Sequence, residues 1–400
     1  MDAFARATVN HTGHEPHHGT AAETVLSAGD FQQAMAEITA WEGYAPTPLV
    51  RLNDLAARLG LGAIYYKDEG PRFGLGSFKA LGGAYAALRL LQREIHASTG
   101  TAPTLEDIRT GRYRRAAGDI TLVSATDGNH GRSLAWGCQR FGARCRIYIH
   151  AGVSPDRAEA MRALGAEVIR INGDYDASVA MARAEAEKQG WFVVSDTSWP
   201  GYSAPPRDVM AGYGVIAQEI FGALDSAPYS APSHVFLQGG VGGLAAGLAA
   251  AFRQHWGAAS ARVIVVEPDR AACLFESARA GRPSAVTIAR ESIMAGLSCG
   301  EPSALAWEVL AEEASDFLSI PDALVGPTMR LLANPPDNDP PIRAGESAVA
   351  GLAAVIAAQA QPTLARALGL GKDSRVLVIG SEGVTDPAIF TAIMEGQDHD

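Results

Sequence analysis

From residue 119 onward the chain alternates short apolar strands with helices, and this alternation restricts the fold more than any other feature. Strands are predicted over 119–124, 145–150, 166–171 and 191–195, with helices over 131–141, 155–164 and 177–189 between them. Strands that return through a helix run parallel, by right-handed crossovers. Four of them make one small α/β domain. A second series follows a proline-broken loop and a helix over 209–221. It comprises strand 234–238, a helix to about 255, strand 262–267 and a helix from 271, then strand 316–320, helices over 321–332 and 346–359, and strand 375–380. Ahead of both lie a helix over 30–40, an extended segment over 44–49 and a helix over 52–61. A strand over 63–67 and a helix from Ser77 to Ile95 follow, and residues 98–118 read as polar and irregular. Pro46 and Pro48 keep the extended segment out of a helix. The whole reads as α/β, two open parallel-sheet domains. Residues 1–84 and 213–400 form the larger one, residues 85–212 are inserted as the smaller, and a ligand cleft is expected between them.

Composition narrows the partners. With 400 residues, 47% hydrophobic and 19% charged, the chain is globular and long enough for two domains. A formal net charge of -11 argues against nucleic acid or an anionic membrane surface. No apolar run reaches a membrane span, since the richest, over 244–252, ends at Arg253. Residues 1–20 lack the apolar centre of a secretory signal. They carry His11, His14, His17 and His18 among glycine, proline and threonine, and read as a mobile tail rather than a metal site. Cys138, Cys145, Cys273 and Cys299 match no zinc spacing. Cys273 and Cys299 could pair if the fold brought them together, but reduced thiols and a cytoplasmic location are expected.

Five stretches carry chemistry. Gly74-Leu-Gly-Ser-Phe-Lys79-Ala-Leu-Gly-Gly83 places Lys79 on the first turn of a helix, with Ser77 as the expected N-cap. The helix dipole there disfavours the ammonium form and suits an amine nucleophile. The glycines would let a flat ligand approach the backbone. A surface lysine on a capped helix fits that stretch alone equally well. Gly239, Gly240, Val241, Gly242 and Gly243 stand between a strand and a helix, where backbone N–H groups converge on a phosphate. Gly240, Gly242 and Ala245 also satisfy the dinucleotide fingerprint, with Glu267 ending the next strand, so a nicotinamide enzyme competes. Ser124-Ala-Thr-Asp127-Gly-Asn129-His-Gly131 puts a carboxylate and an amide at a strand's carboxyl end, where open parallel sheets bind ligands. His130 reads as a packed residue. Asp196, at another strand end, faces the same cleft or caps a turn. Gly380-Ser381-Glu-Gly-Val-Thr385 offers a hydroxyl for a ring nitrogen.

Taken in this order, the set resembles the fold-type II pyridoxal-phosphate enzymes, the tryptophan synthase β family. Asp196-Thr-Ser-Trp-x-Gly-Tyr and Met294-Ala-Gly-Leu-Ser-Cys-Gly-Glu add to the likeness, which runs from about Tyr44 to Asp386. The resemblance implies pyridoxal 5'-phosphate in the cleft, joined to Lys79, with Asn129 on its ring hydroxyl and residues 239–243 around its phosphate. Ser381 is the choice for the ring nitrogen and Thr385 the reserve. It further implies a homodimer that eliminates ammonia from a small amino acid and leaves pyruvate. Lys79 and Asp127 would serve as bases on opposite faces, so that D and L forms both react, and Asp127 or Asp196 would attract a substrate ammonium. A threonine or D-serine dehydratase is the near alternative.

Overall fold

In a computed structural model the described residues are 2–126, 128–225 and 231–397. They divide into two compact units. The larger comprises Met1–Ala28, Ala45–Ser77 and Ile216–Asp400, and the smaller Gly29–Tyr44 and Phe78–Val215.

The strands, in chain order, are β1 (Asn10–Gly13), β2 (Leu49–Arg51), β3 (Ala63–Asp68), β4 (Thr121–Ala125), β5 (Arg144–Ile149) and β6 (Glu167–Arg170). They continue with β7 (Phe192–Val193), β8 (His234–Gln238), β9 (Arg262–Pro268), β10 (Ala314–Ile320) and β11 (Arg375–Gly380). The larger unit holds a seven-stranded sheet in the order β1-β10-β9-β8-β11-β3-β2. Its five inner strands are parallel. The edge strands β1 and β2 add to this parallel sheet in the antiparallel sense. β8 is buried along its whole length, as a strand covered on both faces must be. The helix Ala350–Ala360 is apolar all round and buried over most of its length, as befits a core helix.

β1 overturns the expected mobile tail. Its polar sequence shows no apolar alternation, yet its backbone pairs with β10 from Asn10 opposite Ser319 to Gly13 opposite Asp316. The histidines find fixed partners: His11 Nε2 lies 2.9 Å from Asp316 Oδ1, and His14 Nε2 lies 2.7 Å from the Ala311 carbonyl.

The smaller unit contains four parallel strands in the order β6-β5-β4-β7, as the alternation requires. It also takes in Gly29–Tyr44, which the sequence reading placed in the larger domain. Aromatic packing is the reason: Trp41 meets Trp136 and Phe141 edge to face, with ring centres 5.7 and 5.8 Å apart. Residues 98–118 are not wholly irregular. They hold the short helices Leu105–Arg109 and Arg114–Gly118, the first closed by a reciprocal Thr104–Asp107 capping box. Five-residue helices are too short for apolar periodicity to reveal.

The helix Lys79–Thr99 packs tightly against the helix Asn129–Phe141. A Cβ on Gly83 would sit 2.5 Å from Ser133 Oγ, and one on Gly137 would sit 2.8 Å from Ala84 Cα. Ser133 Oγ donates to the Lys79 carbonyl at 2.6 Å and accepts from Ala84 N–H at 3.1 Å. Gly83 therefore serves helix packing, not the approach of a flat ligand. That packing sets where Lys79 starts its helix.

Candidate active site

In the smaller unit, Lys79 is the first residue of its helix, and Phe78 precedes it with no side-chain cap. Ser77 is not the N-cap; it forms an isolated antiparallel bridge with Glu382 within the larger unit. The Lys79 ammonium donates to Asp196 Oδ2 at 2.6 Å, with the two side chains 18% and 12% exposed. Asp196 stands just beyond β7, where Val194 N–H still donates to the Val123 carbonyl at 2.8 Å. Burial alone would raise the Asp196 carboxyl, but the charge of the Lys79 ammonium and its hydrogen bond outweigh it and hold the group well below the usual range. It is a carboxylate at any working pH.

Asn129 opens its helix at the end of the β4 loop, with Gly128 before it. Thr126 Oγ1 shapes that loop by accepting Gly128 N–H at 3.1 Å and Gly131 N–H at 3.2 Å. Asp127 lies outside the described residues. His130 is buried, with Nε2 3.0 Å from the Val194 carbonyl and Nδ1 4.0 Å from Asp196 Oδ2. Tyr213 is buried above Gly82, where a Cβ would lie 2.5 Å from its Cε1, and its ring centre is 4.7 Å from that of Phe78. Among the described residues neither His130 Nδ1 nor the Tyr213 hydroxyl has a hydrogen-bond partner.

In the larger unit, residues 239–243 leave β8 and open the helix Gly243–Trp256. Gly240 and Gly242 take φ values of 64° and 95°, which only glycine adopts without strain. A turn of this kind before a fourteen-residue helix presents backbone N–H groups to an anion. Glu267 lies fully buried beneath Gly239 and accepts from Leu274 N–H at 3.0 Å and Phe275 N–H at 2.7 Å. Burial pushes its carboxyl up to about 8 despite those hydrogen bonds. A carboxyl so enclosed cannot reach a ribose, so the dinucleotide parse fails on geometry. Cys273 Sγ is 3.5 Å from the Gly240 carbonyl, and all four cysteines are free thiols.

Ser381 follows the last residue of β11 and is buried. Gly380 is shielded by the Tyr66 ring, which occupies the place of a Cβ, so Ser381 carries the first hydroxyl beyond the strand. Its loop is tied by Gly383 N–H donating to the Gly76 carbonyl at 2.9 Å, while Glu382 Oε1 accepts Ser347 N–H at 3.1 Å. Thr385 is half-buried farther along the loop.

Each unit therefore has one half of a donor set that suits pyridoxal phosphate. The smaller offers a primary amine paired with a carboxylate, and two buried polar atoms that await a partner. The larger offers a glycine turn at a helix N-terminus and a buried hydroxyl. His130 is packed and hydrogen-bonded, as expected from the sequence, whereas Tyr213 was not among the expected site residues. A histidine in a buried helix turn and a tyrosine more than a hundred residues from Lys79 carry no local mark of unsatisfied hydrogen bonding.

Comparison with known proteins agrees with this donor set. The family model for pyridoxal-phosphate dependent enzymes matches residues 40–382. The chain is 40% identical to diaminopropionate ammonia-lyase of Escherichia coli K12 over 363 residues, covering 90% of this chain and 88% of that one. It is 36% identical to the protein of the same name from Salmonella typhimurium LT2, covering 94% and 95%. The crystal structure of the E. coli diaminopropionate ammonia-lyase in complex with D-serine superposes with a TM-score of 0.88 at 36% identity, over 98% of both chains.

Proposed function

The chain belongs to the pyridoxal-phosphate dependent enzymes, and on that premise we propose that it eliminates the β-nitrogen of 2,3-diaminopropionate and releases the α-nitrogen by hydrolysis, consuming one water and giving pyruvate and two molecules of ammonia. The observation that carries this reading is the 2.6 Å contact of Lys79 with Asp196. An amine alone would serve water elimination from serine. An ionised, mostly buried carboxylate beside it suits a substrate that brings a second ammonium. Relatives named for this reaction, at 36–40% identity over most of the chain, support it.

When bound, pyridoxal phosphate supplies an aldehyde that joins amines and a conjugated ring that takes up the electron pair left at the substrate α-carbon. Lys79 would join it, residues 239–243 would hold its phosphate, Asn129 its ring hydroxyl and Ser381 its ring nitrogen. Ser381 is uncharged, so the ring nitrogen would stay unprotonated. Elimination tolerates that, because the departing β-amine accepts the electron pair. Lys79 moves the α-proton on its own side. Asp127 moves it from the opposite side, so that D and L substrates both react. Asp196 attracts the β-ammonium. The chain works as a homodimer in the cytoplasm. The resemblance supports the dimer, and four free thiols suit a reducing compartment. Among the described residues no helix is long and apolar enough to cross a membrane.

The test is pyruvate release from 2,3-diaminopropionate, serine and threonine, each as D and L. Diaminopropionate should give the highest kcat/KM. A clear preference for threonine or D-serine would replace this reading with a dehydratase. Borohydride treatment of the holoenzyme should fix the cofactor to position 79, and labelling elsewhere would remove Lys79 from its role.

A further inference from the structure

We propose that His130 Nδ1 and the Tyr213 hydroxyl complete, with Asp196, a socket of three acceptors for the substrate's β-ammonium. This rests on the diaminopropionate reading and adds two residues to it.

The argument starts from the tautomer of His130. Its Nε2 faces the Val194 carbonyl at 3.0 Å, and a carbonyl can only accept, so Nε2 carries the hydrogen. Burial pushes the imidazole down, Asp196 draws it up and Lys79 opposes that, leaving the ring below its ordinary value and neutral. Nδ1 is then a bare lone pair, and among the described residues nothing donates to it. It stands 4.0 Å from Asp196 Oδ2, itself an acceptor. Two acceptors cannot satisfy one another. Two acceptors that share one ammonium nitrogen at ordinary hydrogen-bond length sit roughly 4.5 Å apart. The observed gap is close to that.

Tyr213 supplies the third group. Its ring is locked over Gly82, on the helix face that Lys79 begins, because residues three apart share a face. Its hydroxyl is buried without a partner among the described residues. Burial raises the phenol above its ordinary value, and the charges of Lys79 and Asp196 both reach it, in opposite senses. It is a neutral oxygen within electrostatic reach of the ion pair.

A primary ammonium has three N–H groups, and these are three acceptors. In this structure the Lys79 ammonium bonds Asp196. Lys79 would cease to be an ammonium whether it held pyridoxal phosphate or served as a neutral base, and Asp196 would then have a vacancy of the same chemistry, which a β-ammonium would fill. Serine brings one hydroxyl hydrogen and no charge, so it would leave buried acceptors unpaired. Sites discriminate strongly against a substrate that does so.

Two measurements decide this. In the first, kcat/KM is determined for 2,3-diaminopropionate and for serine with wild type, Tyr213→Phe and His130→Phe. A hydrogen bond to a charged group is worth about 1.5–3 kcal/mol, so the diaminopropionate-to-serine ratio should fall about tenfold or more in each variant. An unchanged ratio, including an equal loss for both substrates, overturns the socket and makes both residues merely structural. In the second, methylammonium is titrated into Lys79→Ala by calorimetry. Saturable binding is expected, and adding Tyr213→Phe, which keeps the ring over Gly82, should weaken it about tenfold. No binding, or binding indifferent to Tyr213, refutes the proposal. Should wild type release no pyruvate from diaminopropionate, the functional reading falls, while the methylammonium titration still judges the socket.

Discussion

Replacing Glu219 with glutamine should destabilise the larger unit far more than an ordinary surface charge would. Glu219 Oε2 accepts from Lys67 Nζ at 2.6 Å and from Arg72 Nη2 at 2.8 Å, and its Oε1 accepts from Arg72 Nη1 at 2.7 Å. Glu69 takes the other side of Arg72, with 2.8 Å contacts to Nε and Nη2. Lys67 and Arg72 are each 1% exposed, Glu69 is fully buried and Glu219 is 2% exposed. The group is neutral as a whole: two cations and two carboxylates. Glutamine leaves one buried cation unmatched and turns an N–H₂ toward other donors. Removing one partner of a buried pair costs about 3–5 kcal/mol. For a unit of this size that is a fall in melting temperature of roughly 6–20 °C.

The sign with pH follows from the same contacts. Burial would raise the Glu219 carboxyl, but hydrogen bonds and charge from Arg72, with Lys67, outweigh it and hold the group below its ordinary value. A carboxylate depressed in the folded state contributes stability above its unfolded pKa of about 4.3 and loses it as the pH falls through the folded value. The gap between wild type and Glu219→Gln should therefore be full at pH 7 and close in acid. Adding Lys67→Met restores neutrality, so the double variant should melt above the single one. Calorimetric melting of the three proteins at pH 7 and pH 4 checks all of this. A loss under 1 °C in Glu219→Gln, or a double variant that melts lower still, would show that charge balance does not govern this cluster.

Three further outcomes follow. Asp127→Asn should depress turnover of one diaminopropionate enantiomer far more than the other, and equal losses in a coupled pyruvate assay would rule out bases on two faces. Gly82→Ala would place a Cβ 2.5 Å from Tyr213 Cε1 and 2.8 Å from Val209 Cγ1, so it should cost about 1–3 kcal/mol in denaturant unfolding and raise KM by displacing the phenol. Glu267, with its carboxyl at about 8, binds a proton in the folded state that the unfolded chain has released. Stability should therefore decline between about pH 4.3 and pH 8 and level off above, and Glu267→Gln should flatten that decline in urea titrations.

Most of the smaller sheet was legible because its strands are apolar, its helices intervene, and parallel topology follows from that order alone. The glycine turn and Lys79 were legible because strand–turn–helix context is local. What the sequence hid depends on distant partners. β1 is held by its backbone against a strand three hundred residues away, which no side-chain pattern records. The Gly29–Tyr44 segment joins the smaller unit through Trp41 and residues on a helix ninety-odd positions later. Ser77 has the composition of a cap, but its backbone is taken up by pairing with Glu382, and the helix starts without it. Gly83 invited a ligand in the sequence, yet Ser133 fills that place.

Two of the buried ionic groups among the described residues illustrate how structure separates stability from chemistry. In the cluster around Arg72, every buried side-chain nitrogen and oxygen of Thr47, Lys67, Glu69, Arg72 and Glu219 has a partner among the described residues. A fully satisfied network rigidifies its surroundings and asks for nothing more. It holds the segment that runs from β3 toward Lys79. Around Lys79 the balance differs: Asp196 has its cation, but His130 Nδ1 and the Tyr213 hydroxyl stay unpaired in the same burial. Buried polar atoms without partners cost on the order of 1–3 kcal/mol each, so a group kept for stability alone would have shed them. Apolar replacements of the Lys79–Asp196 pair would be tolerated or even stabilising by the usual behaviour of buried ion pairs. His130 and Asp196 follow the carboxyl ends of β4 and β7, where parallel sheets bind ligands, which is the position this chemistry requires.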